Sequence, residues 1–207
     1  ATVAAVTADL EAAASGRPDV GAATRAVEDA RRSYAQLVSA PVSRVAIAAQ
    51  TSVAVSLIAA AVPDGAEVLC ADGDFASLVA PFAHAGRGVR LRSVPLERLA
   101  DEMTADTWLV AFSLVQSATG EVADAAAIAA ASARTGTRTL CDLTQAAGWL
   151  PVDATLFDAT VCHAYKWLCA PRGVAFLTLS PDLARELRPV QAGWYSGEDP
   201  WASCYGA

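Results

Sequence analysis

The chain has 207 residues, 54% apolar and 18% charged, with a formal net charge of −7. That length suits one large domain or a large part of one, the apolar content excludes a disordered tail, and the acidic balance argues against a general nucleic-acid binder. Fourteen of the 15 basic residues are Arg, so Lys166 is the one side-chain primary amine available to chemistry.

Residues 1–14 and 21–39 read as two helices separated by a Gly-Arg-Pro turn. The second carries Ala22, Ala26, Ala30, Tyr34 and Leu37 along one stripe and is ended by Pro41. Strand and helix patterns then alternate. Strands are expected over 45–48, 67–70, 89–94, 107–112, 137–142, 159–163 and 174–179. Helices are expected over 52–62, stopped by Pro63-Asp64-Gly65, and over 77–85, 123–135 and 181–187. Short apolar strands alternating with helices predict an α/β fold with a mostly parallel sheet. The chain opens inside a helical pattern and stops in Ser203-Cys204-Tyr205-Gly206, which reads as a loop, so a longer protein is expected.

The longest uncharged stretch, 45–62, has the length of a short membrane span. Gln50, Thr51, Ser52 and Ser56 interrupt it and Ala supplies much of the rest, so no span is expected. No charged segment followed by an apolar core opens the chain, and no signal peptide is expected. Cys70, Cys141, Cys162, Cys169 and Cys204 are odd in number and lack C-x-x-C spacing, which predicts free thiols in a reducing cytoplasm.

In such a sheet, ligands bind beyond the carboxyl ends of the strands. The strand over 137–142 is apolar until it delivers Asp142, with Gln145 one turn later. Read alone, Asp142 suits a cationic partner and a cap on the next helical turn equally well. The strand over 159–163 ends in His163-Ala164-Tyr165-Lys166-Trp167. A lysine with a lowered pKa captures carbonyls, whereas a free one is almost wholly protonated; the plainer reading is a surface lysine that survived drift towards Arg. Gln50-Thr51-Ser52 opens a helix and offers a phosphate site or a plain cap. Phe75 puts an aromatic ring at the same sheet edge, where such a residue is usually core.

Other chemistries lack their signatures. Neither common nucleotide loop is present. Cys162, His163 and Cys169 fit no structural zinc spacing, so no metal is expected. Ser113 and Ser117 lack a G-x-S-x-G elbow, and His84 and His163 are the only histidines.

Together these residues resemble the large domain of fold-type I pyridoxal-phosphate enzymes of the class V aminotransferase family, which includes cysteine desulfurases and kynureninases. The resemblance runs from about 45 to 179 and loosely to Trp194. Its most specific part is Asp142-x-x-Gln145 followed by His163-x-x-Lys166. It implies a three-layer αβα large domain over 41–190, preceded by helices over 1–40. Residues 191–207 would begin a connection to a C-terminal small domain that is absent here.

The resemblance also implies roles. Lys166 would carry pyridoxal 5'-phosphate as a Schiff base and move protons at the substrate Cα. Asp142 would pair with the protonated ring nitrogen, Gln145 would meet the phenolic oxygen, and Phe75 would stack on the ring. Thr51, Ser52, His163 and Tyr165 would reach the phosphate, and Trp194 would close the set. A cytoplasmic homodimer acting on an amino acid or related amine as its small-molecule substrate is implied, without nucleic acid or membrane. Cysteine desulfurases usually place His where Phe75 stands, and their catalytic Cys would fall beyond residue 207. Phe75, Tyr165, Val115-Gln116 with Thr119-Gly120, and Gly193-Trp194 resemble kynureninases, which carry His in place of Gln145. Transamination, kynureninase-like hydrolysis and C–S cleavage stay open, beside a non-catalytic binding module.

Overall fold

The computed structural model describes residues 2–197, 199, 202, 204 and 205. Its strands are β1 (Val45–Ala48), β2 (Glu67–Ala71), β3 (Arg90–Val94), β4 (Thr107–Ser113), β5 (Arg138–Asp142), β6 (Ala159–His163) and β7 (Ala175–Leu179). They form one seven-stranded sheet in the order β1-β7-β6-β5-β4-β2-β3. Neighbours pair in parallel except β7, which runs antiparallel to both β1 and β6. The central β4 is Thr-Trp-Leu-Val-Ala-Phe-Ser and buried almost throughout, as a strand covered on both faces must be. The edge strand β3, Arg-Leu-Arg-Ser-Val, is polar at three of its five positions and fully buries only Val94.

The α-helices among the described residues are α1 (Thr2–Ala14), α2 (Val20–Leu37), α3 (Thr51–Ala61), α4 (Ala76–Ala83), α5 (Leu99–Glu102), α6 (Ala125–Thr135) and α7 (Pro181–Glu186). Alternate residues of one strand serve opposite faces. Leu109 and Ala111 therefore pack with Ile58 of α3, Phe82 of α4 and Leu183 of α7. Val110 and Phe112 pack on the other face with Leu99 of α5 and Ile128 of α6. The result is the expected three-layer αβα arrangement.

The long uncharged stretch divides into β1 and α3, and no helix among the described residues is long and apolar enough to cross a membrane. The stripe expected along α2 is corrected. Ala22 and Ala26 are exposed and Leu37 is 43% exposed, while the buried side chains are Tyr34 and Ala35, followed by Val38. The C-terminal half of α2 reaches the sheet, where Arg31 Nε donates to Val45 O at 2.9 Å and Tyr34 stacks on Phe176 with ring centroids 4.2 Å apart. The helix expected from 123 begins at Ala125, because the Asp124 carboxylate caps it by accepting from Ala127 N–H. Cys70, Cys141 and Cys162 are buried, Cys169 is exposed and Cys204 is half-buried, all as free thiols.

The antiparallel return of β7 positions the chemistry. Ala175 lies beside His163, so the 164–174 connection sits on the carboxyl edge of the parallel strands.

Candidate active site

Register brings the strand ends together. Ser113 of β4 pairs with Asp142 of β5, Asp142 pairs with Val161 of β6, and β6 continues to His163. One cavity at this edge is lined by Gln50, Thr51, Phe75, Asp142, His163 and Lys166, joined by Ser113, Ser117, Thr144, Gln145, Tyr165 and Arg172.

Lys166 is held there by its loop. Ala164 N–H donates to Val174 O at 2.9 Å, Ala170 N–H to Ala164 O at 3.1 Å, and Cys169 N–H to Lys166 O at 3.1 Å. These bonds close the connection into a compact turn and tie both ends of the lysine segment. Lys166 Nζ lies 5.4 Å from the Phe75 ring centroid and 5.9 Å from that of Tyr165. The Arg172 guanidinium sits 4.3 Å from the same Tyr165 ring, a cation held on an aromatic face.

Asp142 is buried at the cavity floor, with Oδ1 accepting the Thr144 N–H at 2.8 Å. Burial pushes its carboxyl up to about 6, against the Thr144 bonds that favour the charged form; the Asp74 charge pushes it further up and Lys166 pulls it down. Thr144 also accepts the His163 backbone N–H on Oγ1 at 3.0 Å, which ties β5 to the end of β6. Asp74 accepts the Ser113 hydroxyl at 2.5 Å and the Ser113 N–H at 3.2 Å, and so anchors the Phe75 turn to the end of β4. Burial raises the Asp74 carboxyl despite these donors.

The start of α3 is open to an anion. Gln50 is its N-cap and contributes no side-chain bond, so the first-turn N–H groups stay uncapped beside the buried Thr51. His163 Nε2 is buried without a hydrogen-bond partner. Burial, with the charges of Arg172 and Lys166, lowers its pKa and so favours the neutral ring. Its ring meets Tyr165 edge-on at 4.5 Å.

Gln145 faces the same cavity inside a polar frame. Its Nε2 donates to Ser117 Oγ at 3.1 Å, and its Oε1 accepts the Trp167 indole N–H at 3.3 Å. The Trp149 indole N–H donates to its backbone oxygen at 2.6 Å.

Seven of the nine residues expected from the sequence line this cavity: Thr51, Phe75, Asp142, Gln145, His163, Tyr165 and Lys166. Ser52 is the second residue of α3 and is not among the lining side chains. The Trp194 side chain lies outside the described residues. Sequence reading missed Thr144 and Arg172 as site residues, and Ser113 and Ser117 in any role but that of a nucleophile. A strand-end position flags Ser113 and Thr144; nothing in the periodicity flags Arg172.

The cavity fits pyridoxal phosphate. An amine suits its aldehyde, a fully buried carboxylate its ring nitrogen, an amide donor its phenolic oxygen, and an aromatic side chain its flat face. The uncapped turn of α3 and the orphaned His163 nitrogen suit its phosphate.

Comparison with known proteins agrees. The family model for class V aminotransferases matches residues 7–199. Isopenicillin N epimerase of Streptomyces clavuligerus is 32% identical over 182 residues, spanning 80% of this chain and 46% of that protein. A protein described as a probable cysteine desulfurase in Aeropyrum pernix is 32% identical over 188 residues, 83% of this chain and 46% of its own length. The chain thus spans about half the length of these curated relatives. The solved structure of the cystine C-S lyase C-DES with its product cysteine persulfide superposes with a TM-score of 0.83 at 24% identity, over 93% of this chain and 57% of that one. The chain belongs to the class V aminotransferase family, whose members work with pyridoxal phosphate.

Proposed function

We propose that this chain holds pyridoxal phosphate and, with it, acts at the Cα of an amino acid. One observation carries the reading. The only lysine of the sequence opens into the cavity floored by the buried Asp142 and headed by the uncapped start of α3.

When bound, the cofactor supplies an electron-withdrawing ring that eases the breaking of bonds at Cα. Lys166 Nζ holds the aldehyde and, when free, accepts or returns the Cα proton. Asp142 would pair, ionised, with the ring nitrogen and favour its protonated form. Thr51, the α3 N–H groups, His163 and Tyr165 would hold the phosphate. Phe75 contributes an apolar ring against the cofactor, and Gln145 a donor. Proton movement at Cα is what an epimerase name implies, and the epimerase relative supports that step here. The desulfurase relative supports a second reading, C–S cleavage on the same residues; Phe75 in place of the usual His weighs against it. We further propose a cytoplasmic homodimer, a reading supported by the buried free thiols and by the family, with no nucleic-acid or membrane partner.

Borohydride reduction of the chain mixed with pyridoxal phosphate, followed by peptide mapping, tests the reading. The label is expected on Lys166 and absent from Lys166→Ala. Reduction that leaves Lys166 unlabelled refutes it. Product assays for inverted amino acid, keto acid, alanine and sulfide then assign the reaction.

A further inference from the structure

We infer that Trp167 is a positioning residue, whose indole N–H fixes the Gln145 amide so that its NH2 end faces the ligand cavity. The two ends of an amide are nearly identical in shape and opposite in chemistry: Oε1 only accepts, Nε2 only donates. Two side chains contact this amide, Ser117 Oγ at 3.1 Å from Nε2 and Trp167 Nε1 at 3.3 Å from Oε1. A hydroxyl both donates and accepts, so Ser117 is satisfied by either orientation. An indole N–H only donates, so a flipped amide would set donor against donor at Trp167. Trp167 alone therefore breaks the symmetry.

Trp149 looks equivalent and is not. Its indole donates at 2.6 Å to the Gln145 backbone oxygen, which leaves the orientation of the side-chain amide undecided. Both rings are exposed, at 49% and 56%, with centroids 6.0 Å apart, so neither is needed to fill the core. With Oε1 taken by Trp167, Nε2 spends one hydrogen on Ser117 and keeps the other for a ligand in the cavity that Gln145 lines. That hydrogen stabilises an ionised oxygen. A flipped amide would present a carbonyl and oppose it.

The inference rests on the reading that the cavity takes pyridoxal phosphate, whose phenolic oxygen is the acceptor. It is tested on the whole chain with Trp167→Phe, Trp149→Phe and Gln145→Ala, reading the pH midpoint of the bound cofactor's absorbance. Loss of the donor disfavours the ionised oxygen, so Trp167→Phe moves the midpoint upward by about 0.5 unit, roughly threefold in the proton equilibrium. Trp149→Phe leaves it in place. In the Gln145→Ala background Trp167→Phe has no further effect, because the two act through one bond.

A cofactor-free arm reads the lock itself: in Gln145→Ala the Trp167 indole N–H resonance moves upfield far more than that of Trp149. An unchanged midpoint in Trp167→Phe, an equal shift in Trp149→Phe, or a shift that persists without Gln145 overturns the positioning role. A wild-type chain that captures no aldehyde at Lys166 overturns the cofactor reading and this role with it. Equal movement of the two indole resonances overturns the lock alone.

Discussion

Full burial raises the Asp142 carboxyl from 3.8 to about 6, and its only strong compensation is the Thr144 turn. A group whose folded pKa lies above its unfolded value stabilises the fold at low pH. That contribution is fully present below about 4 and is lost as pH rises through 6. A shift of about two units corresponds to about 3 kcal/mol. The cofactor-free chain is therefore expected to lose stability between about pH 4 and 7, read as a falling urea midpoint. Asp142→Asn keeps an oxygen for the Thr144 N–H and carries no charge, so its urea midpoint is expected to vary less over that range. The Asn chain also lacks the anion for a protonated ring nitrogen, and its affinity for pyridoxal phosphate falls by on the order of tenfold. An Asn variant with the wild-type pH slope would show that Asp142 does not carry the effect. At this scale the sequence spoke clearly. A lone amine at a strand end and a carboxylate ending an apolar strand are local signals. Ser117 and the Trp167 contact were silent, because they depend on loops 22 to 28 residues from Gln145 meeting it side by side.

At the scale of elements, the decisive feature is the tight turn after β5 pressed against the 164–174 connection. Gly148 stands there with φ of +109°, and an added Cβ would lie 3.3 Å from both Trp167 Cβ and Leu168 Cδ2. Gly148→Ala combines backbone strain with displacement of the segment that follows Lys166. A cost of about 1–3 kcal/mol is expected, with weaker cofactor uptake. Gly120 separates the two causes: its φ is +79° and nothing lies within 4 Å of an added Cβ. Gly120→Ala is expected to cost stability alone and leave cofactor uptake intact. Equal uptake in the two variants, measured by absorbance titration, would dismiss the Gly148 contact. The sequence marks neither the strain nor the contact. It did hold one unread cue. Parallel neighbours need a long crossover, and 164–174 is too short to supply one, so the antiparallel β7 was inferable from loop length.

The whole molecule distributes its stability unevenly along the chain. Strand and helix alternation exposed the layers, because it is written into apolar runs that any parallel sheet requires. Periodicity failed in α2, since an Ala-rich helix carries a stripe whether or not a neighbour covers it. The structure shows where cover exists. α1 has no buried residue, with Val3 80% and Leu10 64% exposed, whereas Tyr34 at the end of α2 is 2% exposed and stacked on Phe176. Apolar area left in water contributes nothing to folding, while a buried aromatic contributes several kcal/mol. A chain lacking residues 1–18 is therefore expected to unfold in urea within about 0.5 kcal/mol of the full chain and to capture pyridoxal phosphate equally at Lys166. Tyr34→Ala, a single substitution, is expected to cost about 3–5 kcal/mol in the same assay. A truncated chain that lost more stability than the Tyr34 variant would mean that α1 is packed against the fold in solution, and the boundary of the folded unit would move to the first residue of that helix.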